Sequence, residues 1–262
     1  MQLAANLSWL YRHLPWAGRF DAAADDGFGA VEILQPYDEA PDWYAARLRA
    51  AGLQLVLLNT PVGEGPGALG WAAVPGQEAA FRAAFDRARA VAAATGCPAI
   101  HVMAGRTVGL PPAACADALQ RNLAQALRLA EADGLVLLLE PLNLADNPGY
   151  HYRVPAQVLP VLRALSSPRL RLQFDCYHCV REGVALDADL LHDCAPWIGH
   201  VQVAGADGRH EPDLGRDGLL EALAALPGLG YDGWLGCEYQ PRGLPAAGLG
   251  WCAPLRARGL LS

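Results

Sequence analysis

The chain has 262 residues, with 20 basic against 27 acidic side chains (net charge −7 at pH 7), 53% hydrophobic and 18% charged, the composition of a folded globular chain. All 20 positive charges are Arg; without Lys there is no amine nucleophile for Schiff-base chemistry and no lysine for a phosphate-binding P-loop. The acidic balance counts against a nucleic-acid partner, and no apolar run approaches the ~18 residues of a membrane helix.

Two kinds of segment alternate along the chain. Short apolar runs predict strands at residues 3–7, 30–34, 53–58, 99–103, 135–139, 170–174, 198–203 and 234–236, each apolar on successive positions as in strands covered on both faces. Ala- and Leu-rich stretches of helical period intervene at residues 17–25, 43–51, 78–94, 113–132, 156–165 and 219–226, with a weaker helix at 186–194. Gly27, Gly52, Gly96 and Gly134 follow helices, where a left-handed turn would end them. The alternation also fits an open doubly wound sheet. Eight repeats without a linker favour a single (β/α)8 TIM barrel domain over residues 1–262. The longest connections, 60–76 and 204–218, follow strands, and loops of that length are usually functional; the glycine-rich cluster at 63–67 reads as a lid or loop.

The start of the chain, residues 1–6, lacks the charged and apolar regions of a signal peptide. Seven Cys, at 97, 115, 176, 179, 194, 237 and 252, read as reduced thiols, and a cytoplasmic location is expected. The pair Cys176 and Cys179 has no second pair to complete a zinc site.

The late strands end in chemistry. Strand five ends at Glu140, strand six at Asp175, strand seven carries Gln202, and strand eight ends at Glu238. In a barrel these four ends share the face where active sites are built. Three converging carboxylates repel one another, and a divalent cation is the usual remedy. An all-oxygen set favours one Mg²⁺ or Mn²⁺ ion, and no organic cofactor is expected. Polar caps at strand ends are the competing reading of any one of these residues. His178, three residues after Asp175, can bond a substrate oxygen or move a proton. Arg209 and His210 lie on the loop after strand seven, where a guanidinium suits a carboxylate. His101 reads as core or pocket. Glu32, odd in a buried strand, is expected near the barrel mouth or paired with Arg. Asn6 and Asn59 end strands one and three and are expected at the pocket floor.

Several motifs together resemble the hydroxypyruvate isomerase family within the xylose-isomerase-like barrels. These are Ala5-Asn6-Leu7-Ser8, Val31-Glu32, Pro36-Tyr37-Asp38, His101-Val102-Met103-Ala104-Gly105, Leu139-Glu140-Pro141-Leu142-Asn143, His200-Val201-Gln202-Val203-Ala204 and Gly236-Cys237-Glu238-Tyr239-Gln240-Pro241-Arg242-Gly243. The resemblance spans nearly the full chain. It implies a metal held by Glu140, Asp175, Gln202 and Glu238, proton exchange by Glu140 and Glu238, and substrate contacts from His178 and Arg209, with His101 and Asn6 added. The implied reaction interconverts hydroxypyruvate and tartronate semialdehyde through an enediolate, on a small hydroxy-carbonyl acid or sugar; a longer 2-oxo acid (2-oxo-tetronate) or a free ketose is the alternative. A homo-oligomer is compatible with the family. Leu214-Gly215-Arg216-Asp217-Gly218 and Gln35 depart from the family pattern and bear on the substrate. A DNA-repair endonuclease on the same barrel would want a His-rich multi-zinc site and a basic surface, and a non-enzymatic sensor is the remaining rival.

Overall fold

The computed structural model describes residues 1–64 and 69–261. The elements run β1 (Gln2–Asn6), α1 (Trp16–Asp25), β2 (Ala30–Ile33), α2 (Pro41–Ala51), β3 (Gln54–Asn59), α3 (Glu78–Thr95), β4 (Ala99–His101), α4 (Pro112–Asp133), β5 (Val136–Leu139), α5 (Pro155–Leu165) and β6 (Leu170–Asp175). They continue with α6 (Cys176–Arg181), α7 (Ala188–Cys194), β7 (Ile198–Val203), α8 (Leu219–Ala225), β8 (Trp234–Cys237), α9 (Pro245–Gly248) and α10 (Ala253–Ala257). Every strand pairs in parallel with its neighbours, and β1 pairs with β8, closing the TIM barrel. The eight predicted strands form within a residue or two of their expected bounds. Of the cluster at 63–67, residues 65–67 lie outside the described residues.

The helices form where the sequence punctuates them. Proline opens α2, α4 and α5, where its missing N–H costs nothing. Gly52, Gly96 and Gly134 close α2, α3 and α4 in the left-handed region at φ 67°, 73° and 74°. The inward stripe of α4 is Cys115, Ala118, Leu119, Asn122, Leu123, Ala126 and Ala130, a spacing of three and four that places them on one face. Its one polar member, Asn122, donates to the Ala72 carbonyl at 2.9 Å and so ties down the connection after β3. The segment 176–181, which carries no helical period of its own, forms α6 because Asp175 caps it: Oδ1 accepts from the Tyr177 N–H at 2.7 Å, satisfying an otherwise orphaned donor.

Alternate positions on a strand share a face, and the barrel's inward face changes character along its axis. Ala4, Ala30 and Val56 form one small apolar cluster and Leu57, Ala99 and Leu138 another, both separate from the large core under the helices. Two residues further along their strands stand Asn6, Glu32, His101 and Glu140. The barrel is therefore apolar at one end and densely polar at the C-terminal end. The ladder shifts register between Val31 and Glu32 and between Leu172 and Gln173, irregularities of the kind that re-aim side chains next to active sites.

Candidate active site

Glu140, Asp175, Gln202 and Glu238 are all buried, and hydrogen bonds join Glu140, Gln202 and Glu238 into one group. Gln173 on β6 donates from Nε2 to Glu140 Oε2 at 2.8 Å and to Gln202 Oε1 at 2.6 Å. Gln202 in turn donates from Nε2 to Glu238 Oε2 at 2.5 Å. Two carboxylate oxygens, Glu140 Oε1 and Asp175 Oδ2, have no hydrogen-bond partner among the described residues although both are buried. Such atoms are costly unless a charged partner meets them. Glu140, Asp175 and His178 each offer one atom within 4.8 Å of the others, and the two orphaned carboxylate oxygens in this group fit a hard cation.

The histidine in that group has a defined proton. His178 Nδ1 accepts from the Asn143 backbone N–H at 3.1 Å, so the neutral ring carries its hydrogen on Nε2. Nε2 lies 3.6 Å from both Glu140 Oε1 and Asp175 Oδ2. In this tautomer His178 is a donor into the site. Burial, then Arg209 and His101, hold its pKa well below the usual histidine range, which keeps it neutral. His101 is also buried, and burial pushes it down to about 3; its Nδ1 lies 3.1 Å from Glu140 Oε2 but is misaligned for a hydrogen bond.

Arg209 is the counter-charge. It sits in the left-handed region at φ 53°, with its guanidinium carbon 4.4 Å from the Trp9 ring centre and 4.7 Å from that of Tyr177. Nη2 pairs with Glu238 Oε1 and lies 3.7 Å from Asp175 Oδ2. Burial opposes its charge, but Glu238, Asp175 and Glu140 together raise its pKa. The carboxylates remain perturbed. Burial, then Glu238 and Asp175, raise Glu140 well above the usual range. Burial pushes Glu238 up to about 8 against the pull of Arg209, and Asp175 up to about 6 in the same balance.

These shifts fix a sign. A carboxyl whose folded pKa exceeds its unfolded value binds more protons in the folded state, so its contribution to stability is lost as pH rises through the folded value. The depressed histidines act oppositely, chiefly below their unfolded pKa of about 6.5. Between pH 6.5 and 8 the opposing histidine contribution fades and the carboxylates outweigh it. The metal-stripped protein is expected to lose roughly 3 °C or more of thermal midpoint across that interval, with added Mg²⁺ or Mn²⁺ removing the slope. A flat profile in calorimetry would contradict the assignment.

A cavity of about 180 Å³ is lined by Glu140 and Glu238 of the group but not by Asp175 or Gln202, and also by Trp9, Asn59, His101, His178 and Arg209. Asn59 therefore reaches the pocket as expected, and its Oδ1 is buried without a partner. Asn6 is not among the residues lining it; its Nδ2 donates to Glu32 Oε2 at 2.9 Å and Glu238 Oε2 at 3.2 Å. Glu32 lies at the polar C-terminal end beside Glu238, as the first of its two expected readings has it, and the second, an arginine partner, is not what it meets. It is fully buried inside the barrel and pairs with His200 Nε2 at 2.5 Å. His210 turns away to the Gln240 carbonyl. Arg216 and Asp217 line a different cavity, together with Arg181 and Arg242, so that loop departure lies off the pocket. Gln173 and His200, absent from the predicted site, were marked by being polar two positions before Asp175 and Gln202. All seven cysteines are buried and free.

The closed parallel barrel thus gathers these acidic groups at its C-terminal mouth, the face on which such barrels build their sites. The model of the family described as xylose isomerase-like TIM barrel matches residues 20–255, and the chain belongs to that family. The 2-oxo-tetronate isomerase of Cupriavidus necator is 43% identical over 98% of this chain and 99% of its own length. The hydroxypyruvate isomerase of Escherichia coli is 32% identical over 98% and 100%. A solved structure from Brucella melitensis, titled AP endonuclease, family 2, is 37% identical, covers 97% of this chain and 98% of its own, and superposes with a TM-score of 0.91. The two relatives are named as isomerases, in keeping with an intramolecular oxidoreductase of the aldose–ketose type. Among the described residues no helix is long and apolar enough to cross a membrane.

Proposed function

We propose that the protein isomerises a short 2-oxo-3-hydroxy acid, hydroxypyruvate to tartronate semialdehyde being the minimal case. The observation that carries this reading is that Glu140, Glu238, His178 and Arg209 line one small cavity. Two proton-exchanging carboxyls, a neutral donor and a carboxylate clamp thus surround a single ligand. Relatives bearing isomerase names support it.

The donor set fits one divalent cation, Mg²⁺ or Mn²⁺, held by Glu140, Asp175, Gln202 and Glu238. When bound, it would polarise the substrate carbonyl and acidify the neighbouring C–H. The side chains do the rest. One glutamate takes the proton from C3, giving an enediolate, and a proton is returned to C2, while a hydroxyl proton moves from O3 to O2. Burial raises the pKa of Glu140 well above the usual carboxylate range and that of Glu238 to about 8, which suits carboxyls that both accept and return a proton. His178 offers its Nε2–H to a substrate oxygen. Arg209, fixed between two aromatic rings, has Nη1 free of hydrogen bonds among the described residues and offers it to the substrate carboxylate. Burial of the thiols in reduced form supports a cytoplasmic setting.

A four-carbon substrate is the second reading, favoured by Asn59. Its buried, unpartnered Oδ1 facing the cavity suits a hydroxyl that hydroxypyruvate lacks. The endonuclease reading has less support: the one candidate metal group among the described residues contains a single histidine.

The test is turnover of hydroxypyruvate and 2-oxo-tetronate by metal-stripped protein with and without Mg²⁺ or Mn²⁺. Metal-dependent turnover is expected, and absence of turnover on both substrates would sink the proposal. Asn59→Leu is expected to lower kcat/KM about tenfold on the four-carbon acid and little on the three-carbon one, the value of a lost buried hydrogen bond; an unchanged ratio would leave hydroxypyruvate as the substrate.

A further inference from the structure

Glu32 is a carboxyl inside the barrel that neither reads substrate nor lines the cavity, and its surroundings are built for it. Its Oε1 meets His200 Nε2 at 2.5 Å. Its Oε2 accepts from Asn6 Nδ2 and from Gln202 Nε2, each at 2.9 Å. Four strands make this arrangement. Asn6 pairs in register with Glu32, and Gln202 with Gly236. At Gly236 a Cβ would overlap Glu32 Oε1 and lie 2.8 Å from Gln202 Cγ, so the glycine is the space that Glu32 occupies.

The consequence falls on the amide of Gln202. A glutamine side chain can be turned end for end, and its two ends differ in chemistry but hardly in shape. Here one end faces two carboxylate oxygens, Glu32 Oε2 and Glu238 Oε2. Both oxygens also accept from Asn6 Nδ2, so they present themselves as acceptors and the end that meets them is the NH₂ group. The oxygen is then turned to the opposite side, where Gln173 Nε2 meets it and also holds Glu140. With the amide reversed, its oxygen would face the two carboxylates and its NH₂ would face the NH₂ group of Gln173 beside Glu140.

We propose that Glu32 is a positioning residue that locks the Gln202 side chain with its oxygen toward Glu140, making this neutral amide a competent ligand for the divalent cation. The inference rests on the reading of Gln202 as a metal ligand given above. Asn6 and His200 hold Glu32 from its two oxygens.

The experiment is a double-mutant cycle read by Mn²⁺ affinity, with free Mn²⁺ followed by electron paramagnetic resonance, independently of turnover. Glu32→Gln can present either end of its own amide to Gln202, and is expected to weaken Mn²⁺ about tenfold or more, the range of outer-shell partners at metal sites. In a Gln202→Ala background the same change is expected to alter affinity by less than about twofold, since there is no amide left to orient. Wild-type affinity in Glu32→Gln, or a full additional loss in the Gln202→Ala background, would overturn the assignment alone. Failure of the wild type to bind Mn²⁺ would overturn the metal reading and this one with it. Should Glu32→Gln not fold, the wild type still decides. In ¹⁵N-glutamine-labelled protein the Gln202 side-chain NH₂, identified by its loss in Gln202→Ala, is expected to exchange slowly with solvent before and after Mg²⁺ addition; exchange at the rate of an exposed amide would refute the lock.

Discussion

Replacing Glu238 by Gln is expected to lower kcat by about 10³ while leaving the fold intact, and Glu140→Gln to do the same, the scale of losing a positioned acid–base group. The two variants should differ in everything else. Glu238 is tied to Arg209, Gln202 and Asn6, so its amide substitute would turn an NH₂ against the guanidinium or against the donors of Gln202 and Asn6. That variant is expected to be less stable and to hold the substrate carboxylate poorly, because Arg209 loses its anchor. Among the described residues Glu140 has only Gln173 as a hydrogen-bond donor, and its other oxygen has none. Removing this charge relieves repulsion from Glu238 and Asp175, so the metal-stripped Glu140→Gln protein is expected to melt at or above the wild-type temperature. Deuterium exchange at C3 of the substrate separates the roles: the variant that still washes out the label retains the base that takes this proton. Full activity in both variants would refute the assignment of bases.

The contrast between these residues shows what the sequence reveals and what it hides. Glu140, Asp175 and Glu238 stand out because each interrupts or ends an apolar strand, and one residue type in the same place on successive repeats signals one face. The closed barrel follows from the same alternation. His178 is visible through its spacing from Asp175, although the helix that makes the spacing useful exists only because the Asp175 side chain caps it. Glu32, Gln173 and His200 are harder. Each lies within an apolar strand, where a polar residue reads equally as a mouth residue, a cap or half of an ion pair. Only the folded chain shows that Glu32 faces His200, 168 positions away. The signal available was alternation: Gln173 and Asp175, His200 and Gln202, Gly236 and Glu238 are inward positions two residues apart on strands already recognised. The position of the 214–218 loop, away from the pocket, depends on how a long connection folds back, and no local pattern encodes that.

Gly236→Ala is expected to be among the most damaging single-methyl changes in the molecule, lowering stability by about 3 kcal/mol, or about 10 °C in midpoint for a chain of this size. The conformation of Gly236 does not require glycine; the space does. Its added carbon would overlap one oxygen of Glu32 and lie 2.7 Å from the carboxyl carbon and 2.8 Å from Gln202 Cγ. An exposed carboxylate would swing aside at little cost. Glu32 cannot, because its two oxygens are held by His200, Asn6 and Gln202 in a fully buried position, and any displacement strands buried donors at about 1–3 kcal/mol each. Gly250→Ala, where the new carbon meets nothing within 4 Å, is the control and is expected to leave the midpoint unchanged. The pair Glu32→Ala with Gly236→Ala should recover part of the loss, since the carbon then enters the volume that the carboxyl vacates, with a coupling energy of about 1 kcal/mol or more. Metal affinity should stay low in the double variant even as stability returns, because the amide of Gln202 has lost the acceptor that orients it. Recovery of both together would mean that Glu32 fills space and nothing more; recovery of stability alone separates its packing from its role in the site.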